Sequence, residues 1–319
     1  MYDDLHVLPK LRDGLSYLYL ERGRLEQEDS SVTFYGVDDV VPVPAASLAV
    51  VMLGPGTSVT HAAVRNLVEN GCSILWVGDD ATRFYAQGMG ETRKATKLLK
   101  QALLWANPET RLQVIRKMYE YRFPEMLDPG LELNQIRGME GVRVRDTYAR
   151  LSRETGVEWK GRNYQRGDWS KADPINRALS AANACLYGVC HAGIVSAGYS
   201  PGLGFVHTGK QLSFVYDVAD LFKAETTIPA AFEAVASTAT GFEKEVRRIC
   251  RNKFYEQKLL SRVLPAIEKI FDIPMDAVAS SFDLEKALPG WLWDEQGPVA
   301  GGVNYGGDDS GSSTETPER

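Results

Sequence analysis

The most constraining stretch of this chain is Ile175 to Gly198, INRALSAANACLYGVCHAGIVSAG, entered through Asp173-Pro174. Asp173 can cap a helix, and Pro174 fills its first position without losing a hydrogen bond. The residues beyond Pro174 are small and apolar on nearly every face, and a helix apolar all round has to be enclosed on all sides. The stretch therefore predicts a central core helix and a helical domain large enough to surround it. The four cysteines, Cys72, Cys185, Cys190 and Cys250, form no CxxC pair. They read as buried apolar residues, not as zinc ligands or disulfides.

That helix leads directly into Gly202 to Lys223, GLGFVHTGKQLSFVYDVADLFK. Ser213 is a candidate N-cap, and Phe214, Val218, Leu221 and Phe222 recur at helical spacing, predicting a helix with one buried stripe. Asp217 falls at the edge of the stripe, Asp220 lies beside it, and Lys223 continues the same polar ridge. His207 precedes the helix in a turn built from Gly204, Thr208 and Gly209, so its imidazole can fold over the first helical turn. A nitrogen-plus-oxygen ligand set becomes geometrically possible. A second reading fits the same letters: aspartates early in a helix favour its dipole by about 0.3–1 kcal/mol, and a turn histidine is commonly structural. A further carboxylate arriving from elsewhere decides between the two. Gly204 to Lys210 also matches the GxxxxGK half of a phosphate-binding loop, but Gln211 stands where Mg²⁺ requires a hydroxyl, and no hydrophobic strand feeds the turn. No nucleotide cofactor is expected.

With 319 residues, 44% of them hydrophobic, the chain has material for two domains. No apolar run approaches the roughly 20 residues of a membrane span, and the N-terminus lacks an apolar signal core. These features predict a soluble, cytoplasmic protein without a membrane partner. The formal charge of −6 is unevenly placed: residues 272–319 carry a net −8, so residues 1–271 carry +2. Arg137 to Lys171 holds nine Lys/Arg against five Asp/Glu, compatible with an electropositive face.

Residues 15–52 contain LSYLYL, SVTFYG and SLAVVML, which read as strands separated by Glu21-Arg-Gly23, Pro42 and Pro44. Thr60 caps a helix closed by Gly71, and CSILWVG and RFYAQG read as the next two strands. From Glu91 the pattern turns helical, ETRKATKLLKQALLWA and then PETRLQVIRKMYEYRF. The fold class expected is α+β, with a β-rich domain over 1–88, an all-helical domain over 89–275 and a mostly disordered acidic tail over 276–319. One long helix is expected from Phe242 to Phe271, bearing Lys244, Arg247, Arg248, Arg251 and Lys253.

Two further segments carry chemistry. In IRGMEGVRVRDTYARLSRETG, Glu140 is read as opening a helix between Gly138 and Gly141, where a ligand backbone can come close, with Arg137, Arg143 and Arg145 as cations around it. A helix-terminal acid paired with a neighbouring arginine is the plainer alternative. In VEWKGRNYQRGDWSKADPINR, Trp159, Tyr164 and Trp169 alternate with Lys160, Arg162, Arg166 and Lys171. That mixture suits phosphate contact with base stacking, and equally a loop anchored by its aromatics.

Taken in order, RGMEGVRVR, SAANACLYGV, GYSPGLGFVHTGKQLSFVYDVADLFK and EVRRICR closely resemble the CRISPR-associated spacer integrase, the large subunit of the adaptation complex, in its type I-E (Cascade-associated) form. The match runs from about Leu15 to Phe271. The resemblance implies homodimers, two of them bridged by a dimer of a small ferredoxin-like subunit, and metal-dependent DNA strand transfer. It implies that Glu140, His207 and Asp220 ligate Mg²⁺ or Mn²⁺, with Asp217 joining or orienting that set as a fourth catalytic residue. Carboxylates about 4 Å apart repel by roughly 4 kcal/mol at an effective dielectric near 20, which invites a divalent cation. It further implies that Lys210, Tyr216, Lys223, Lys244 and Arg247 line the DNA, with Arg137, Arg162, Tyr164, Trp169 and Tyr187 close by and Arg83 on the backbone. The DNA is a captured fragment and the CRISPR repeat. Relatives place a duplex-bracing tyrosine before Gly23 and an arginine after Thr57, where this chain has Arg22 and Ser58; Tyr17 and Tyr19 are the candidate substitutes. The rival functions are a stand-alone metal-dependent nuclease on branched or single-stranded DNA and a non-catalytic DNA-binding scaffold.

Overall fold

The computed structural model describes residues 17–29, 31–48, 50–78, 83–89, 95–162, 173–238, 241–273, 291–292 and 299–300. Two four-stranded sheets form the N-terminal region. The first has the order β1 (Tyr17–Leu20), β5 (Val50–Leu53), β7 (Ser73–Val77), β8 (Phe84–Gly88), parallel except for the antiparallel β7–β8 pair. The second has the order β4 (Val40–Val43), β3 (Ser31–Tyr35), β2 (Arg24–Glu28), β6 (Ser58–Val59). Helix α1 (His61–Glu69) is capped by Thr60, whose hydroxyl accepts the Ala63 N–H at 3.3 Å.

Alternation along β5 divides the core. Val51 and Leu53 face Leu25, Phe34, Leu67 and Ile74 inside the β-rich region, whereas Val50 and Met52 join Leu75 and Val77 in the core shared with the helices. The sheet is covered on both faces, which is why SLAVVML shows no polar alternation. Strands β2 and β4 were not expected. Arg24–Glu28 buries only Leu25, and β4 contains Pro42, tolerated because β4 is an edge strand that pairs on one side.

The helices are α2 (Thr96–Ala106), α3 (Pro108–Glu120), α4 (Leu133–Thr155), α5 (Pro174–Ser196), α6 (Ser213–Asp220), α7 (Thr227–Ser237), α8 (Phe242–Glu256) and α9 (Leu259–Ile270). The α5 helix is the hub, capped by Asp173 and packed against α6, α7, α8 and α9. It is long and apolar enough to cross a membrane, contrary to the expectation that no run approaches that length, yet 67% of its most apolar stretch is buried inside the protein. Gly193 allows the close approach of α9, since a Cβ there would lie 2.7 Å from Val263 Cγ1. All four cysteines are free and buried.

Three boundaries differ from expectation. The α4 helix begins at Leu133 through a capping box between Glu132 and Gln135, so Glu140 lies inside the helix instead of opening it. The single helix from Phe242 breaks into α8 and α9 at Lys258, which adopts φ +48° while Gln257 Nε2 donates to Glu225 O at 3.3 Å. Ser213 is the first residue of α6 and not its cap: its hydroxyl accepts the Lys210 N–H at 3.1 Å and closes the preceding turn. Within 276–319, Trp291–Leu292 (β9) pairs antiparallel with Val299–Ala300 (β10), and the rest of the expected tail lies outside the described residues.

Candidate active site

The site is built around a buried carboxylate. Asp217, on α6, is fully buried. Its Oδ2 accepts the N–H groups of Phe205 (2.6 Å) and Val206 (3.0 Å), while Oδ1 accepts the His207 N–H (2.9 Å) and meets His207 Nδ1 at 2.6 Å. The carbonyls of the same loop are held from the other side. Gln101 Nε2 donates to Ser200 O and Leu203 O, Trp105 Nε1 to Gly204 O, and Arg111 to Phe205 O. Gly204 is needed here because a Cβ would lie 2.3 Å from His207 O. With Nδ1 donating to Asp217, Nε2 is the ring nitrogen left to act as a ligand. The Asp217 hydrogen bond raises the His207 pKa above its ordinary value against the opposing effect of burial, and the charge of Asp220 adds to it.

Glu140 and Asp220 face each other through cations. Arg143, one helical turn along α4, grips Glu140 with both arms, Nε to Oε2 at 2.8 Å and Nη2 to Oε1 at 2.9 Å. Arg122, in the turn that ends α3, sets Nη1 3.5 Å from Glu140 Oε1 and Nη2 3.9 Å from Asp220 Oδ2. Lys223 Nζ lies 2.5 Å from Asp220 Oδ1. Burial acts to lower the Lys223 pKa, but Asp220 and Tyr187 more than reverse this, and it stands above its ordinary value. Glu140 is arginine-paired, as the plainer reading had it, but from within the helix and not from its end.

Among the described residues, no three His, Cys, Asp or Glu side chains gather at ligating distance, and the carboxylates are turned to guanidinium and ammonium groups instead. The donor chemistry nevertheless fits a divalent cation: two carboxylates, and an imidazole whose other nitrogen is held by a second-layer carboxylate. Asp217 itself is consumed by the loop, so it can position His207 but has no access to a ligand. Gly138 and Gly141 flank Glu140 with no described atom within 4 Å of the Cβ each would carry, leaving that side of α4 open.

The expected DNA-lining residues divide into groups. Tyr187 and Tyr216 meet edge to face at 4.9 Å, Tyr216 lies 5.8 Å from the His207 ring, and Lys223 and Lys210 stand over Tyr187 and Tyr216 at 5.2 and 5.9 Å. These four belong to the site. Lys244 and Arg247 are exposed along α8, and Arg247 and Arg83 both act electrostatically on Cys185, which places them near the middle of α5. Arg137 is exposed on α4, and Arg162 Nη1 reaches Asn176 Oδ1 at 3.3 Å. Tyr164 and Trp169 lie outside the described residues.

Of the two readings left open for the aromatic segment, the contacts of Trp159 are those of an anchor: its ring lies on Tyr148 at 4.2 Å and against Phe232 at 6.1 Å. Tyr19, one of the two candidate substitutes for the bracing tyrosine, packs against the shared core and donates its hydroxyl to Glu21 at 2.8 Å. Arg122 was missed. Its only cue is a cation set among Tyr119, Tyr121 and Phe123 at a helix end, which a solvated arginine does not need.

A family model described as CRISPR associated protein Cas1 matches residues 123–264. The chain is 51% identical over 316 residues to the CRISPR-associated endonuclease Cas1 2 of Thermus thermophilus, an alignment covering 99% of this chain and 97% of that protein. It is 44% identical over 267 residues to the CRISPR-associated endonuclease Cas1 of Escherichia coli, covering 83% and 87%. In shape it is similar to the crystal structure of a TtCas1–DNA complex, with a TM-score of 0.78 and 54% identity over 83% of this chain and 99% of that one. A casposase bound to its integration product shares the fold, at a TM-score of 0.52 and 16% identity over 75% of this chain and 87% of that one.

Proposed function

The chain belongs to the CRISPR-associated Cas1 family, the DNA integrases and nucleases of spacer acquisition, and on that premise we propose that it splices captured DNA fragments into the repeat by strand transfer. The fragment's 3′-hydroxyl oxygen forms a bond to a repeat phosphorus while that phosphorus loses its bond to the departing 3′-oxygen. One phosphodiester replaces another, so the reaction needs no nucleotide and no covalent enzyme intermediate.

Glu140, His207 and Asp220 would hold Mg²⁺ or Mn²⁺. When bound, such an ion supplies Lewis-acid polarisation of the scissile phosphate and acidifies the attacking hydroxyl. Asp217 positions His207 by accepting its Nδ1–H, which leaves Nε2 as the ring nitrogen available to the ion. Lys210, Lys223, Tyr187 and Tyr216 hold the phosphates next to the reacting bond, and Arg83, Arg137, Arg162, Lys244 and Arg247, with Tyr164 and Trp169, hold the flanking duplex. The observation that supports this best is Asp217: a fully buried carboxylate spent on three backbone N–H groups and one imidazole is an arrangement for aiming His207. By the same proposal the protein is of the type I-E form and works in the cytoplasm. The 1–88 region forms homodimers, the 89–275 region carries the chemistry, and a dimer of the small ferredoxin-like subunit joins two such dimers.

The test is a joining assay with a labelled 3′-hydroxyl duplex, a plasmid carrying the repeat, the small subunit and Mn²⁺. Fragment–plasmid products are expected, and Glu140→Ala, His207→Ala and Asp220→Ala should abolish them while duplex binding persists. Joining that survives these substitutions sinks the site, and cleavage of branched DNA without the small subunit, with no joining, makes the protein a stand-alone nuclease.

A further inference from the structure

We propose that Arg122 is a resident counter-cation of the Glu140–Asp220 pair that competes with the metal, so that the DNA-free protein takes up a divalent ion weakly and DNA phosphate promotes its uptake. The inference rests on Glu140 and Asp220 being metal ligands.

Three observations carry it. Arg122 comes from the end of α3, an element that supplies no proposed ligand, yet its guanidinium reaches toward both carboxylates at 3.5 and 3.9 Å. Those separations are longer than charge-assisted hydrogen bonds, so the group is held by field and packing and not by a bidentate fork. Second, its Nε and Nη2 are buried and have no hydrogen-bond partner among the described residues. Leaving guanidinium donors unspent in a buried place is unfavourable, and it persists only where something else compensates. Here the compensation is the two carboxylates and the Tyr119 ring, 4.9 Å beneath the guanidinium.

Third, the carboxylates are already matched by cations. Glu140 and Asp220 bring two negative charges and the buried Asp217 a third, while Arg122, Arg143 and Lys223 bring three positive ones, each within ion-pair distance of Glu140 or Asp220. A divalent ion would enter a neighbourhood whose charges are already balanced. Arg143 and Lys223 are each 25% exposed and can swing toward solvent or a phosphate, whereas Arg122 at 7% is locked in place. Arg122 is therefore the member whose repulsion of the metal persists in the free protein. Phosphates arriving at Lys223, Lys210 and Arg143 restore negative charge, and linkage then requires that DNA and metal tighten each other's binding.

Calorimetric titration of Mn²⁺ into the DNA-free full-length protein tests this. Arg122→Met should bind Mn²⁺ at least about tenfold more tightly than the unaltered protein, because a unit charge a few ångströms away is removed, while Arg122→Lys stays within about threefold. A folded Arg122→Met whose affinity is equal or weaker overturns the proposal. If that variant does not fold, the unaltered protein decides: with the heat of Mn²⁺ into DNA alone subtracted, affinity should rise at least about tenfold when a short duplex is present, and no rise overturns the proposal. Glu140→Ala and Asp220→Ala separate the two levels. Mn²⁺ binding that survives both removes the ligand reading itself, whereas binding that needs both but ignores Arg122 removes only this inference.

Discussion

Asp217 and His207 meet at 2.6 Å, Oδ1 to Nδ1, across the turn that leads into α6, and the same carboxylate accepts the backbone N–H groups of residues 205 to 207. One side chain thereby sets both the path of the loop and the orientation of the ring. Neither could be altered without the other.

Asp217→Asn tests that coupling. The amide keeps the shape but replaces one acceptor oxygen with a donor facing backbone N–H groups. The expected loss is about 2–4 kcal/mol of stability, read by chemical unfolding, together with a fall of about 10–100-fold in Mn²⁺ affinity. Asp217→Asn with undiminished metal binding would remove the positioning role.

His191 on α5 stacks on Phe84 of β8 at 3.7 Å, joining the sheet to the helical hub, and burial lowers its pKa to about 4. The unfolded imidazole titrates near 6.5, so between the two values the unfolded chain binds more protons. The stabilisation is present above pH 6.5 and declines as pH falls toward 4. Melting temperatures should drop across that window, and His191→Phe, which keeps a ring on Phe84, should flatten the decline.

Gly193→Ala should destabilise by about 1–3 kcal/mol through overpacking, because the new methyl meets Val263 at 2.7 Å. Adding Val263→Ala should recover part of the loss. Thermal unfolding of the two single variants and the double variant reads the interaction directly, and strict additivity would contradict the contact.

Trp159→Ala and Lys210→Ala should behave in opposite ways. Removing Trp159 strips the stack on Tyr148 and costs about 2–4 kcal/mol with duplex affinity unchanged. Lys210 is exposed beside Tyr216, so Lys210→Ala should leave stability alone and lower the salt-dependence slope of DNA binding by about 1. Fluorescence anisotropy over a salt series, with melts alongside, distinguishes them.

The amino-acid sequence by itself determined the hub and most of the elements, because the information is local. Asp173-Pro174 and the apolar run after it specify α5, Thr60 and Gly71 bound α1, and the period of Phe214, Val218 and Leu221 orients α6. Motif resemblance in turn pointed to Glu140, His207 and Asp220. Only the tertiary structure decided which carboxylate aims the histidine and which face cations, since Asp217 and Asp220 are equivalent by spacing and differ in what packs against them. The same holds for β2, whose single buried Leu25 has no pattern until a neighbouring sheet covers it, and for Arg122, whose partners come from α4 and α6. Spacing along a chain sets direction within one element; the charges that meet between elements are set by how those elements pack.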